Sequence, residues 1–266
     1  MLPLEMRAII IGAGRGKRLG HETDENPKTL VPVMGRPMLE WILEALAAGG
    51  FERREIVYVC GYAEHVLRER YPDLVYVRNP DWAHNNILLS LLYAREYLGE
   101  GFVSTYSDIV YEPGIVKRLV DSPHDIVLGC DTLWRRRYTS RSQHPESDAE
   151  KLRAEGSRVV EISRHIPSEA AQGEFIGVMK LTAAGASEFL EAYDCAEHLF
   201  AGGLWREGRT FEKAYLIDQL QWMLEQGSAM HREDTLGGYM EIDTLEDLTA
   251  APSWWEERPH GTSMRE

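Results

Sequence analysis

The sequence predicts an α/β protein of three layers, α/β/α, built around a mostly parallel, mixed sheet. Short apolar, β-branched runs alternate with segments of helical period through the first half of the 266 residues, the pattern that βαβ crossovers require. The first of these runs, 6–12 (MRAIIIG), leads straight into a loop with glycines at 12, 14 and 16, as a strand buried on both faces does at the carboxyl edge of a sheet. A hydrophobic fraction of 44% with mixed charges supplies enough apolar surface for a substantial core.

After the loop, 37–48 (PMLEWILEALAA) reads as a helix, with proline near its first turn and Gly49-Gly50 ending it. A strand at 55–60 (EIVYVC), a helix at 63–70, a strand at 74–77, a helix at 86–97 and strands at 102–106 and 126–128 follow. The second half is less regular. Residues 134–151 are polar and arginine-rich; 159–163 and 175–181 are strand-like, 183–193 and 211–225 helical, 238–242 a strand and 244–248 a short helix. Neither a repeat nor a low-complexity linker divides the chain, so one domain over 1–252 is expected, with 253–266 as a C-terminal tail.

The formal charge of −14 argues against nucleic acid or an anionic membrane as a partner, so an anionic ligand must meet local positive charge. Cys60, Cys130 and Cys195 are far apart and lack Cys-x-x-Cys spacing, which suggests neither a disulfide framework nor a zinc site. No apolar run reaches the roughly 18 residues of a membrane span, and 1–6 carries no signal-peptide pattern. The expectation is a cytoplasmic protein.

The glycine loop, Ile11-Gly-Ala-Gly-Arg-Gly-Lys-Arg-Leu19, carries most of the functional information. Gly12, Gly14 and Gly16 let backbone N–H groups approach an anion, and Arg15, Lys17, Arg18 and, past Pro27, Lys28 bring charge. The dinucleotide fingerprint would need glycine at position 17, and a helix opening at once; Gly20, His21 and Pro27 predict a loop instead. The P-loop fails too, because Gly12 and Gly16 are three residues apart and Lys17 is followed by Arg18. A solvated turn with incidental cations is the bland alternative.

Asp108 follows a predicted strand and so lies where α/β sheets bind ligands, while Glu241 and Asp243 share one face of an extended segment. Three carboxylates opposite a cationic loop suit magnesium, which prefers oxygen ligands and is shared with phosphates. Turn or helix-capping roles are the alternative for each.

These residues resemble the nucleotidylyltransferases that join a nucleoside monophosphate to a phosphorylated acceptor and release pyrophosphate. Cys60-Gly61-Tyr62, Asn85-Asn86 with Ser90, Ser107-Asp108 and Glu241-Ile-Asp243-Thr244 are most similar to the bacterial phosphocholine cytidylyltransferases and their phosphonate and inositol-phosphate relatives. The likeness covers about residues 6–250 and implies a Rossmann-like nucleotidyltransferase fold, with a nucleotide-binding half at about 6–130 and an acceptor-binding half at about 131–250.

By this resemblance, Gly12, Ala13, Gly14, Arg15, Gly16 and Lys17 hold the triphosphate of CTP, and Arg18 and Lys28 act on the reacting phosphates. Gly61, Tyr62, Asn85, Asn86, Ser90 and Ser107 complete the nucleotide site, and Asp108, Glu241 and Asp243 hold Mg2+. For a small phosphorylated or phosphonate acceptor, Lys151 is expected near its phosphate and Glu174 near its hydroxyls or amines. Trp134, Tyr138, Trp205 and Tyr215 are candidates for an aromatic cage, and Arg135, Arg136, Arg137 and Arg141 for anion binding. Their alternatives are core packing, a solvated hairpin and ordinary surface ion pairs.

An already ionised acceptor needs no general base, and the nine histidines, in no metal-ligand spacing, are given no role. Two other functions stay open: a hexose-1-phosphate nucleotidylyltransferase using UTP, GTP or dTTP, and a nucleotide-binding regulator without catalysis. The Trp254-Trp255 pair leaves two packings open, on its own domain or on a second copy in a homodimer.

Overall fold

The computed structural model describes residues 6–139 and 141–257. Strand β1 (Arg7–Ile11) hands the chain to the glycine loop and two 3₁₀ segments, Lys17–Thr23 and Lys28–Leu30. These occupy part of the segment expected to be a loop; left-handed Gly16 and the break at Gly20 keep them from becoming an α-helix. A small hairpin, β2 (Pro32–Val33) and β3 (Arg36–Pro37), then enters α1 (Met38–Ala48). The alternation continues through β4 (Ile56–Cys60), α2 (Glu64–Arg70), β5 (Val75–Arg78), α3 (Ile87–Leu92), β6 (Gly101–Tyr106), β7 (Ile109–Tyr111), α4 (Gly114–Asp121) and β8 (Ile126–Asp131). The second half comprises α5 (Arg135–Tyr138), β9 (Lys151–Glu155), β10 (Arg158–Ile162), β11 (Gly173–Thr182), α6 (Ala183–Phe200), α7 (Leu216–Glu225), β12 (Met230–Thr235), β13 (Tyr239–Glu241) and α8 (Leu245–Glu257).

Nine strands form the main sheet in the order β5-β4-β1-β6-β11-β8-β12-β10-β9. The strands from β5 to β6 run parallel, as does the β8–β12 pair, and β11 is antiparallel to both β6 and β8. Strand β9 pairs with β10 and also returns to the start of β11, so β11, β8, β12, β10 and β9 close into a ring. In β1, Ile9 and Ile11 pack on one face with α3, α6 and α7, while Ala8 and Ile10 pack on the other with α1, α2 and α4. Burial on both faces explains the unbroken apolar run in the sequence.

Seven strands and helices among the described residues went unread in the sequence: β2, β3, β7, α4, α5, β9 and β12. Strand β12 (MHREDT) is half charged and shows no apolar alternation, and β7 and α4 are three and eight residues long. Within 86–97 the helix stops at Leu92, and a separate 3₁₀ turn takes Arg95–Tyr97. The helix in 211–225 starts only at Leu216, where Tyr215 and Asp218 form a capping box.

The tail expected from 253 is corrected as far as the described residues reach. Helix α8 runs through Pro252 to Glu257, because Trp255 packs edge-on against Trp41 at 5.5 Å and Arg141 lies 5.2 Å over Trp254. The two tryptophans thus join a small core with Leu19, Val31, Met38, Met240 and Ile242 that seals α8 over the glycine-loop side of the sheet. Residues 258–266 lie outside the described residues. Among those described, no helix is long and apolar enough to cross a membrane.

One buried ion pair locks this corner. Arg141 donates to Asp247 at 2.9 Å and to the Glu241 carbonyl at 2.7 Å. The other Asp247 oxygen accepts the N–H groups of Asp243 and Thr244, capping α8. Removing one member of a buried pair leaves the other charge uncompensated, so Arg141→Ala is expected to lower the unfolding free energy by about 3–5 kcal/mol. Urea titration checks it, and a loss below about 1 kcal/mol, the level of an exposed pair, would show that the lock carries no weight.

Candidate active site

A cleft of about 620 Å³ opens at the carboxyl ends of β1 and β6 and continues toward β11 and β13. Gly12, Ala13, Gly14 and Gly16 form one wall. The Gly12 N–H is held by the Val59 carbonyl at 3.0 Å, continuing the β1–β4 register into the loop. Gly16 has φ +71°, and a Cβ there would stand 2.6 Å from Cδ of Lys28. Glycine at this position therefore lets the lysine stem pass beneath the loop.

Lys28 is the centre of the site. Its side chain is 8% exposed, and Nζ donates to Asp108 at 2.7 Å and to Asp243; Arg18 pairs with the second oxygen of Asp243. Convergence across 135 residues comes from the β7–β13 ribbon: Glu241 registers with Ile109, and the Ile242 N–H donates to the Asp108 carbonyl at 2.9 Å. Burial alone would lower the Lys28 pKa, but Asp108 and Asp243, with Glu241 beyond, raise it above the ordinary value. Burial also works against ionised Asp243, yet Lys28 and Arg18 hold it down at about 2. Glu241 goes the other way, pushed well up by burial and by Asp243 and Asp108. The three carboxylates, Arg18 and Lys28 singled out in the sequence are thus brought together.

A histidine joins them. His144 Nε2 is 3.5 Å from Glu241, and Nδ1 is 4.0 Å from Asp243. Burial and Arg141 lower its pKa. The expectation that no histidine would matter here rested on local spacing, whereas this approach is made across about a hundred residues by the loop that Arg141 anchors.

Of the residues expected at the nucleotide, Asn85, Asn86, Ser90 and Ser107 line the cleft. Fully buried Asn79, missed in the sequence, organises them: it donates to Asn85 and to the Ser90 hydroxyl oxygen, both at 2.9 Å, and accepts from Asn85 at 3.1 Å. The Ser90 hydroxyl hydrogen is left free to turn toward a ligand. Gly61 and Tyr62 do not line the cleft as expected; they stand behind Trp82, which does. A Cβ on Gly61 would come 2.7 Å from the Trp82 ring, and Tyr62 meets that ring edge-on at 5.6 Å. Arg15 and Lys17 are likewise not on the wall. Arg15 turns to Asp24 at 2.8 Å and lies over Tyr62, and Lys17 is exposed.

The acceptor expectations need more correction. Of Trp134, Arg135, Arg137, Lys151 and Glu174, only Glu174 lines the cleft. Trp134 is buried with Tyr138 and Ala149, and Arg135 pairs with Glu146 at 3.1 Å. Arg137 is buried between Asp131 and Glu174, neutralising carboxylates at the ends of β8 and β11. Lys151 is buried off the cleft and donates to the Glu146 carbonyl at 3.3 Å. Trp205 stacks with Phe200 and Phe211 in the core rather than joining a cage.

The residues that do face this end are Tyr106, Glu150, Arg164 and Tyr215. Glu150 accepts from the Tyr106 hydroxyl at 3.1 Å and pairs with Arg164 at 3.3 Å. Arg164 lies 3.9 Å and Arg209 4.2 Å from the Tyr215 ring centre, two cations on one aromatic. Period-two alternation at the start of β9 was the available signal, since it sends Glu150 and Lys151 to opposite sides.

Residues 8–154 match the MobA-like NTP transferase domain. The chain belongs to this family. It is a nucleotidyltransferase. Over 253 residues, 91% of this chain and 98% of the relative, it is 24% identical to the CTP:phosphoglutamine cytidylyltransferase of Campylobacter jejuni. A shorter match, 38% over 124 residues, 44% of this chain and 19% of the relative, is to the CMP-5'-(3-aminopropyl)phosphonate synthase of Streptomyces rubellomurinus. The inositol-1-phosphate CTP transferase of T. maritima shares the fold, with TM-score 0.71, 20% identity and coverage of 97% of this chain and 100% of that one. So does the phosphocholine cytidylyltransferase of Streptococcus pneumoniae, at TM-score 0.68, 20% identity and coverage of 94% and 99%.

Burial pushes the Glu150 pKa from 4.5 up to about 7, against the pull of Arg164 and Tyr106. The folded nucleotidyltransferase then keeps a proton that the unfolded chain releases, so stability falls as pH rises from 4.5 to about 7. Glu150→Gln removes that titration and should flatten the fall, by up to about 3 kcal/mol between pH 5 and 8. Urea unfolding of both proteins at the two pH values is the check; equal pH dependence would show that Glu150 ionises as it does in water.

Proposed function

We propose that this nucleotidyltransferase is a magnesium-dependent cytidylyltransferase that moves CMP from CTP to a small phosphorylated or phosphonate acceptor and releases pyrophosphate. The observation that carries the reading is Lys28, buried under the glycine loop and facing Asp108 and Asp243. Three carboxyl groups at one end of the cleft offer hard oxygen donors, a set that fits magnesium; Asp108, Glu241 and Asp243 would hold it. When bound, the ion supplies charge neutralisation at the triphosphate.

The chain's own groups do the rest. Glycine-loop N–H groups cradle the phosphates, and Lys28 and Arg18 neutralise the charge that builds as the acceptor oxygen attacks the α-phosphorus. In that step the acceptor O–P bond forms and the bond from the α-phosphorus to the bridging oxygen breaks, with the electron pair leaving on pyrophosphate. The acceptor phosphate or phosphonate is already an anion at neutral pH, so no proton need be removed. Catalysis on this reading is alignment and charge compensation.

Cytosine is favoured by the polar groups around Asn79. It offers two adjacent acceptors and an amino donor, and Ser90, Asn85 and Asn86 supply matching donors and acceptors. The C. jejuni and S. rubellomurinus relatives are named for phosphoglutamine and 3-aminopropylphosphonate, both of which carry nitrogen away from the phosphorus. Buried carboxylates at Glu150 and Glu174 support a similar acceptor here, with Arg164 available to an anionic group.

Pyrophosphate release with each of CTP, UTP, GTP and dTTP, against aminoalkyl phosphates and phosphonates, phosphocholine, inositol 1-phosphate and hexose 1-phosphates, tests the proposal. CTP with an aminated acceptor should dominate. Preference for UTP with a hexose phosphate overturns it, and nucleotide binding without turnover favours a regulator. Lys28→Ala should lower kcat about 10²–10³-fold, as loss of a transition-state charge contact does. Arg164→Ala should raise the acceptor KM with little change in that for CTP, in the same assay.

A further inference from the structure

We propose that His144 is a nitrogen ligand of the divalent cation at Asp108, Glu241 and Asp243, and that it adds affinity for manganese-like ions to a site that takes magnesium through its oxygens. The inference rests on the proposed metal role of those carboxylates and concerns which further ions the site accepts.

His144 is 4% exposed, and its Nδ1 is buried with no hydrogen-bond partner among the described residues. An unpaired polar atom in the interior costs about 1–3 kcal/mol and calls for an explanation. Nδ1 faces Asp243 across 4.0 Å, and at 3.5 Å from Glu241 the Nε2 atom makes no hydrogen bond either. One ligand atom from each of His144, Glu241 and Asp243 can be chosen so that all lie within 4.8 Å of one another. Around one octahedral ion with bonds near 2.1 Å, neighbouring and opposite ligand atoms stand about 3 and 4.2 Å apart. The outer limit of 4.8 Å is slightly wider than that set, so an ion bound by all three groups would draw them together by roughly half an ångström.

The histidine is also held in place. The Ser142 N–H and hydroxyl and the Gln143 N–H all donate to Glu246, and Arg141 is locked to Asp247. Residues 141–143 are therefore clamped to the first turn of α8, the turn that follows Asp243, so His144 and Asp243 hang from one rigid junction. Such a support fixes a ligand's direction. An imidazole is a poor donor for magnesium, which favours oxygen and keeps its waters, and a good one for first-row transition ions.

The test uses manganese alone, on the full chain without nucleotide. Electron paramagnetic resonance titration gives the Mn2+ Kd, pulsed measurements show whether nitrogen is bonded to the ion, and competition gives the Mg2+ Kd. Nitrogen modulation is expected in the wild type and lost in His144→Gln, with the Mn2+ Kd rising at least tenfold and the Mg2+ Kd changing less than threefold. Bound manganese without nitrogen coupling, equal Mn2+ affinity in the variant, or no binding at millimolar Mn2+ would each overturn it. Should His144→Gln fail to fold, the wild-type spectrum decides on its own. No turnover enters these readings, so a chain that coordinates manganese through nitrogen but transfers no CMP would refute the function and keep the metal assignment. An active enzyme with oxygen-only manganese would do the reverse.

Discussion

The active cleft depends on one buried contact, the ammonium of Lys28 between Asp108 and Asp243. Each partner is brought there by a different device. The lysine comes from a 3₁₀ turn and passes under a glycine that has no side chain to block it; Asp108 follows β6 and precedes β7; Asp243 arrives from the far end of the chain through the short β7–β13 ribbon. In a low-dielectric setting such a charge cluster is stable only when all members are present. Local geometry at the phosphate end is thus tied to the correct assembly of the whole chain.

The end of the cleft toward β11 is built by the same logic with other residues. Ring closure by β9 brings Lys151 beside Glu174 in the backbone ladder, and Arg137 then compensates Asp131 and Glu174 in the interior. This leaves the Glu150–Arg164 pair facing the cleft. Arginines that look like an anion site in the sequence, at 135–141, are mostly spent on holding the scaffold, while the cation exposed to the cleft follows β10. A charged residue near a site acts through its partner, and the partner is set by tertiary contact.

Much of the nucleotide half was legible because its information is local. A buried strand, a glycine loop and two cations lie within 28 residues, and spacing alone separates this loop from the other phosphate-binding loops. The apolar strands of the first half read as strands because both faces are covered. Strand β12 was unreadable because only its first residue, Met230, joins the apolar core, and α8 outran its predicted end because tryptophans past Pro252 have a core to enter. Asn79, His144 and Arg164 have no local signature. Each matters through particular side-chain contacts, made by Asn79 with Asn85 and Ser90 and by His144 with Glu241 and Asp243, which one sequence does not display.

The matched family region ends at residue 154, yet Glu241 and Asp243 lie beyond it, as do Arg164 and Tyr215. The β7–β13 ribbon stitches the two parts together directly beneath Lys28. Residues 8–154 contain the glycine loop, Asn85, Asn86, Ser90 and Asp108, but only one of the two carboxylates that Lys28 contacts. Strand β11, which lies between β6 and β8, also comes from beyond residue 154, so neither the sheet nor the charge cluster is complete within the matched region.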